Sequence, residues 1–432
     1  MIIRVIPLKG LLIIFCVGLF LPEGEPQSMP DLGILNTSNA QVRYSIPVPL
    51  PDKEAPPNAT KRDTYQFEEA NRLFPRSQSG GSSMDVVAAD LDGDGYEDLI
   101  VATEFSPNRI FMNNGSAFVT GPTLPEFATY QAPYLGEDSE DIAVADFDKD
   151  GDPDLLFVSE DSKLHELLLN DGKGHFAKAP SQIPKTGDAN AVVVYDFNQD
   201  GYPDVLIGHR GQNALHLNDT GQGFREATTT HWVINTDHTQ DLILVDIDGD
   251  GDQDIVEAIE SGGSNLYLNQ NGQFQEASDR LPDLSAYEAR KVVAVDVDQD
   301  GDQDLFFCHV GWQGTDPQNK MLLNDGSGHF TDVTASALPK EQSTTLDAVF
   351  TDLNGDGLVD MVTTCLGSSP NLQVFVQRPE KDGVSFIRDE TLFAPMNYNN
   401  GVGVLFGDWL KTGKRQWYFA NHQHLDEMMT EK

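Results

Sequence analysis

From about residue 80 onward, short apolar runs recur along the chain in pairs, and each pair brackets an acidic segment. Val86–Ala89 and Leu99–Val101 form one pair, Val292–Val295 and Leu305–Phe307 another. Apolar residues occupy successive positions rather than alternate ones, which predicts strands covered on both faces. A polar gap follows each pair, then a third run ending in Asn, then G-x-F and a short fourth strand. The acidic segments start at Asp90, Asp146, Asp196, Asp246, Asp296 and Asp352, at spacings of 56, 50, 50, 50 and 56 residues. Four strands per unit at this period predict an all-β fold, a seven-bladed β-propeller with four-stranded blades.

Only six of the seven expected acidic segments are intact. The seventh lies in Val402–Trp417, where Asp408 stands 56 residues after Asp352 and Gly413 keeps the turn. Leu410 and Thr412 replace the next two acidic positions, so this loop is expected to hold no metal. The last strand of the seventh unit is found at the other end of the chain. Phe67–Pro75 matches Phe274–Pro282, a segment that ends a unit, yet it precedes the first unit. The last blade is therefore expected to be closed by the N-terminal strand, which leaves no free sheet edge.

Ahead of the repeats, residues 1–22 read as a signal peptide or signal anchor: Arg4 and Lys9 precede an apolar run from Leu11 to Leu21. Residues 23–62, with Pro47, Pro49, Pro51, Pro56 and Pro57, read as a Pro-rich flexible linker, and 63–432 as the propeller. The expected location is exported: periplasmic, cell-surface or extracellular. Membrane contact is expected only through an uncleaved N-terminal anchor. Asn36, Asn58, Asn114 and Asn218 stand in glycosylation sequons, which matter only in a eukaryotic host. After removal of the leader only Cys308 and Cys365 remain, and pairing or burial as thiols are both open.

Charge changes this picture in one respect. With 69 Asp and Glu against 28 Lys and Arg, the formal net charge is −41. That excludes general nucleic-acid binding and docking by charge on anionic lipid. The acid is concentrated in the repeated loops, which place oxygen ligands at positions 1, 3, 5 and 9. These are Asp90, Asp92, Asp94 and Asp98; Asp146, Asp148, Asp150 and Asp154; and Asp196, Asn198, Asp200 and Asp204. The other three sets are Asp246, Asp248, Asp250 and Asp254; Asp296, Asp298, Asp300 and Asp304; and Asp352, Asn354, Asp356 and Asp360. Converging carboxylates repel one another unless a cation joins them. Hard oxygen ligands in flexible geometry suit Ca²⁺, in about six sites, and the absence of His or Cys from these loops argues against zinc or copper.

With copies such as LLLNDGKGHF at Leu167–Phe176 and MLLNDGSGHF at Met321–Phe330, the chain resembles the FG-GAP/VCBS repeat family, the integrin-alpha-like calcium-binding β-propellers, over roughly residues 63–424. The resemblance implies calcium in the loops between the first two strands of each blade. It implies no single activity, because the family includes adhesion heads, lectin-like binders and accessory domains of polysaccharide-degrading enzymes.

If the acidic loops share one face, the opposite face carries the irregular segments. There His209, Arg210, His309 and Trp312 follow second strands, while Trp232 and the tyrosines Tyr130, Tyr134, Tyr287 and Tyr398 precede first strands. Such side chains suit a polar ligand, either a glycan or a protein. A regular row stands five residues before each first ligand: Asp85, Asp141, Ala191, Asp241, Lys291, Asp347 and Gly403. In a propeller this row rings the mouth of the central channel. It is expected either to bind a cation or amine, or to bond neighbouring backbone amides. No G-x-S-x-G, H-E-x-x-H, Walker loop or C-x-x-C is present. The expectation is an exported calcium-binding module for a protein or glycan ligand. The alternatives are a polysaccharide-active lyase or hydrolase and a structural surface protein.

Overall fold

The computed structural model describes residues 67–75, 80–104, 106–125, 138–160, 164–181, 183–184, 187–260, 262–340, 342–366, 371–380, 383–389, 401–422 and 424–431. The expected leader and linker, Asn36, Asn58, Tyr130, Tyr134 and Tyr398 lie outside them. Seven antiparallel sheets follow one another as blades of four main strands, and in all but the last these run in sequence order from the axis outward. The third is typical: Ala189–Tyr195, Asp204–His209, Ala214–Asn218 and Phe224–Glu226. The first and second blades each gain one short extra strand, His424–Leu425 and Ile183–Pro184. Innermost strands of neighbouring blades line an axial cavity whose walls include Val86, Ile243, Val292, Ala348 and Val404.

The doubly apolar strands have a direct structural reason. Seven buried clusters lie between adjacent blades, one for each interface around the ring. Between the third and fourth blades, Val193, Leu206 and Leu215 meet Leu242, Ile255 and Tyr267. A strand sandwiched between two interfaces has no solvent face, and alternation disappears.

The ring is closed as the sequence predicts. Phe67–Glu69 pairs antiparallel with Glu427–Glu431, as the outer strand of the blade formed by Gly401–Gly407 and Gln416–Asn421. Phe67 packs edge-on against Trp417 at 5.8 Å, and both are buried. The seam with the first blade adds a buried polar group to its apolar cluster. Buried Asp426 accepts hydrogen bonds from Ser83 Oγ at 2.8 Å and Tyr418 Oη at 2.6 Å, with Arg109 3.3 Å away. Cys308 and Cys365 lie buried as thiols, and burial pushes the Cys308 thiol well above its ordinary value.

One regularity escapes the sequence pattern. Every innermost strand slips register by one residue near its start, a β-bulge. The displaced residues are Met84, Glu140, Asn190, Gln240, Arg290, Leu346 and Val402. All seven line the mouth of the axial cavity.

Candidate functional site

Each acidic loop joins the first two strands of its blade and has the same backbone. Positions 4 and 6 are left-handed in every copy, as in Gly93 and Gly95 (φ 73° and 89°) or Gln199 and Gly201 (φ 59° and 92°). Glycine fits position 6 because that conformation is strained for other residues. The turn aims backbone N–H groups at the first carboxylate: Asp90 accepts from Gly93 N and Gly95 N, both at 2.9 Å. The residue at position 2 is a buried plug, as with Leu91, Phe147 and Ile247.

Position 9 does two jobs in the fold. Asp98 is fully buried, and its two oxygens accept from Leu91 N at 3.0 Å and Asn113 N at 2.7 Å. Asp154, Asp204, Asp254, Asp304 and Asp360 repeat the pattern. The third-strand Asn ties the loops of adjacent blades. Asn170 Nδ2 donates to Leu91 O of the preceding blade at 2.8 Å and to Pro153 O of its own at 3.1 Å. Burial pushes the carboxyls of Asp98, Asp154, Asp204, Asp304 and Asp360 up to about 7 and that of Asp254 to about 6, against the opposing pull of the backbone donors.

These loops fit a cation. Asp90, Asp92 and Asp94 bring carboxylate oxygens within 4.8 Å of one another, as do Asp146, Asp148 and Asp154; Asp246, Asp248 and Asp250; and Asp296, Asp298 and Asp300. Asp146 Oδ1, Asp248 Oδ1 and Asp296 Oδ1 are buried acceptors with no hydrogen-bond donor. An anionic oxygen in that state calls for a positive partner. In the third and sixth loops Asn198 and Asn354 supply an amide oxygen at position 3, which here accepts from Asp200 N and Asp356 N.

The seventh loop is built differently. Asp408 accepts from Thr412 N at 2.8 Å and Gly413 N at 2.7 Å, so the turn survives. Leu410 is buried where a ligand would stand. Lys411 Nζ donates to Gly95 O of the first loop and sits 4.8 Å from the centre of the Tyr96 ring. On the other side Arg415 Nη1 donates to Asp352 O of the sixth loop at 2.8 Å.

On the opposite end, several expected ligand residues prove to be interior. His209 and His309 are 1% and 0% exposed. His309 stacks on Tyr287 at 5.0 Å, and burial lowers its imidazole to about 4. Trp232 is buried among Phe197, Tyr267 and Phe274. As placed, these three offer no surface to a ligand. Arg210 and Trp312 are exposed. In the axial row, Asp141 accepts from Ile142 N and, at 2.7 Å, from Val192 N of the next blade. Asp241 and Asp347 likewise accept from Val292 N and Val404 N. These Asp residues staple adjacent inner strands, while Asp85 is half-buried at the mouth. The sequon residue Asn218 is buried and donates to Phe147 O and Pro203 O, which closes it to glycosylation.

The bulge residues give the mouth its character. Around a small cavity open to solvent, Glu140, Asn190, Gln240 and Arg290 form a polar arc, and Leu346, Val402 and Met84 an apolar one. Glu140 faces Arg290 at 3.4 Å. Burial, with Glu160, Asp138 and Glu104 nearby, pushes the Glu140 carboxyl up to about 8 despite Arg290. His238 joins the arc from outside: its Nδ1 lies 3.2 Å from Glu260, and its Nε2 lies 3.2 Å from Gln240 Nε2 and 3.5 Å from Asn190 Nδ2. No residue type is shared by the seven bulge positions, so only their register could have revealed the ring.

Comparison with known proteins agrees with this architecture. The FG-GAP-like repeat profile matches residues 90–157, 146–207, 196–257, 246–307 and 296–363. No curated protein matches the chain. Similar solved structures include an Agrocybe aegerita lectin described as recognising non-reducing terminal N-acetylglucosamine (16% identity, 72% of this chain and 82% of that one, TM-score 0.44). They also include BBS1N in complex with ARL6DN (11%, 84% and 96%, TM-score 0.50) and the extracellular domain of a hybrid two-component system from B. thetaiotaomicron (10%, 84% and 39%, TM-score 0.51). For the latter two the likeness is one of fold. The five consecutive profile matches span more than half of the chain and coincide with the acidic loops and their flanking strands, and the chain belongs to the FG-GAP-like repeat family.

Proposed function

We propose that the protein is an exported, calcium-binding propeller that serves as a protein- or glycan-binding module. Calcium in the six acidic loops stiffens the scaffold, and the ligand docks on the end where the channel opens between the bulge residues. One observation carries this reading: polar groups from successive blades converge on that mouth, and the amide oxygens of Asn190 and Gln240 remain buried there without donors. A fold rarely leaves such groups unmet unless something else meets them. Six metal-binding loops at one end account for much of the excess acid and do not need a ligand of their own.

The test compares the two ends. Calcium-loaded protein should bind saturably on a glycan array or to a panel of extracellular protein baits, and leave the ligand chemically unchanged. Arg210→Glu, at the mouth end, should weaken that binding by about fivefold or more. Lys173→Glu, beside the acidic loops, should leave it unaffected. Turnover of a bound glycan, or sensitivity only to Lys173→Glu, would overturn the assignment.

A further inference from the structure

We infer that the channel mouth is a receptor for a single alkylammonium group, a protonated primary amine on an aliphatic stem. This deepens the reading above, since it names the chemical group the same end would hold. Asn190 and Gln240 are each 6% exposed and stand on the bulges of adjacent blades. Gln240 Nε2 donates to Glu260 Oε2 at 2.6 Å. Glu260 also faces His238 Nδ1, so that nitrogen carries the proton and Nε2 is left as an acceptor. The nitrogens of both amides point to that acceptor. Their flips are thereby fixed, and the free ends are carbonyl oxygens. Asn190 Oδ1 and Gln240 Oε1 have no hydrogen-bond donor.

Two unmet acceptors ask for a ligand rich in donors. The charge around them asks for a cation. Five carboxylates line the mouth against only Arg290 and Lys291. Arg290 lies 3.4 Å from Glu140, looser than the about 2.7–2.9 Å of a well-formed charge-assisted bond, which leaves room for a second donor. A primary ammonium brings three N–H donors and one positive charge in a compact head. Across the mouth, Leu346 and Val402 pack with Val310 into a small apolar patch joined by Met84. A hydrated metal ion has no use for such a wall, whereas a methylene stem does. The lysine side chain of a partner and a free diamine share this chemistry.

Isothermal titration of the calcium-loaded full chain separates these sources. The probes are N-acetyl-lysine methylamide, cadaverine and the neutral N-acetyl-norleucine methylamide. Saturable one-to-one binding is expected for an ammonium probe, with the norleucine compound weaker by about tenfold or more. Tighter binding of the lysine amide identifies a partner's lysine as the source, and tighter binding of cadaverine a free amine. The double change Asn190→Ala with Gln240→Ala should weaken the ammonium by about tenfold while the melting temperature holds. Glu140→Gln, which keeps the shape but cannot ionise when a cation arrives, should weaken it as well and guards against misfolding of the double variant. Equal affinity for charged and neutral probes, no binding at millimolar concentration, or displacement of the ammonium by added calcium would each overturn the proposal. So would an Arg210-dependent ligand indifferent to Asn190→Ala with Gln240→Ala, and that result would leave the broader binding role standing.

Discussion

The six acidic loops and the seventh share a backbone but solve one electrostatic problem in opposite ways. In four of the first six, three carboxylates crowd together, and in three of these an oxygen is left without a donor. In the seventh the ligands at positions 3 and 5 are gone, and the chain supplies its own cations. Lys411 reaches the first loop and Arg415 the sixth, so the seam of the ring is tied by side chains on both sides. The comparison teaches that the loop fold itself needs only the first Asp, the left-handed turn and the buried plug. The carboxylates at positions 3 and 5 are surplus to that turn, and their mutual repulsion opposes it unless a cation joins them.

Three measurements sharpen or break this contrast. The largest effect belongs to calcium. At ten times the dissociation constant each site adds about 1.4 kcal/mol, hence about 8 kcal/mol for six independent sites. Excess EGTA should therefore lower the melting temperature by about 10 °C or more in scanning calorimetry, and elemental analysis should find six calcium ions per chain. A seventh ion, or a melt unmoved by EGTA, would erase the distinction.

The second effect is a reversal of sign with pH. In the calcium-free chain the six position-9 carboxyls are raised to about 6 or 7 from an ordinary value of 3.8. The folded state then holds more protons than the unfolded one between those limits. Its stability should rise as pH falls from about 7 toward 4. His309, lowered to about 4 from 6.5, pulls the other way, as do His216 and His238, both lowered by burial, but they are three groups against six. With calcium bound the carboxyls are held ionised, and stability should instead fall as the pH drops. Melting curves with and without EGTA across this window check the crossover; parallel slopes would contradict it.

The smallest effect is expected at the seam. Lys411 is exposed, so Lys411→Ala should cost less than about 1 kcal/mol and leave the calcium count at six. A change in stoichiometry would mean that the first loop depends on the seventh for its metal.

Much of this was legible in the sequence, because the loop chemistry and the blade period are carried by consecutive residues. Asp90 through Asp98 announce a turn and its cluster of carboxylates, and Phe67–Pro75 announces the closing strand by likeness to Phe274–Pro282. What could not be read depends on neighbours distant in the chain. His209, His309 and Trp232 look like a surface for a polar ligand, yet they are buried. Asp141 and Asp241 look like a row of free carboxylates, yet they accept from inner strands some 50 residues onward. The bulge ring was hidden for a different reason. Its members share a backbone register and no side-chain chemistry, so no motif records them.

Pairing Phe67–Glu69 with Glu427–Glu431 also has a consequence for biogenesis. Until Glu427–Glu431 has been made, the much earlier segment Phe67–Glu69 has no strand to pair with. Translation thus delivers an incomplete rosette whose unclasped strand invites mispairing with another copy. Chaperone dependence should be concentrated in the interval before the two ends meet.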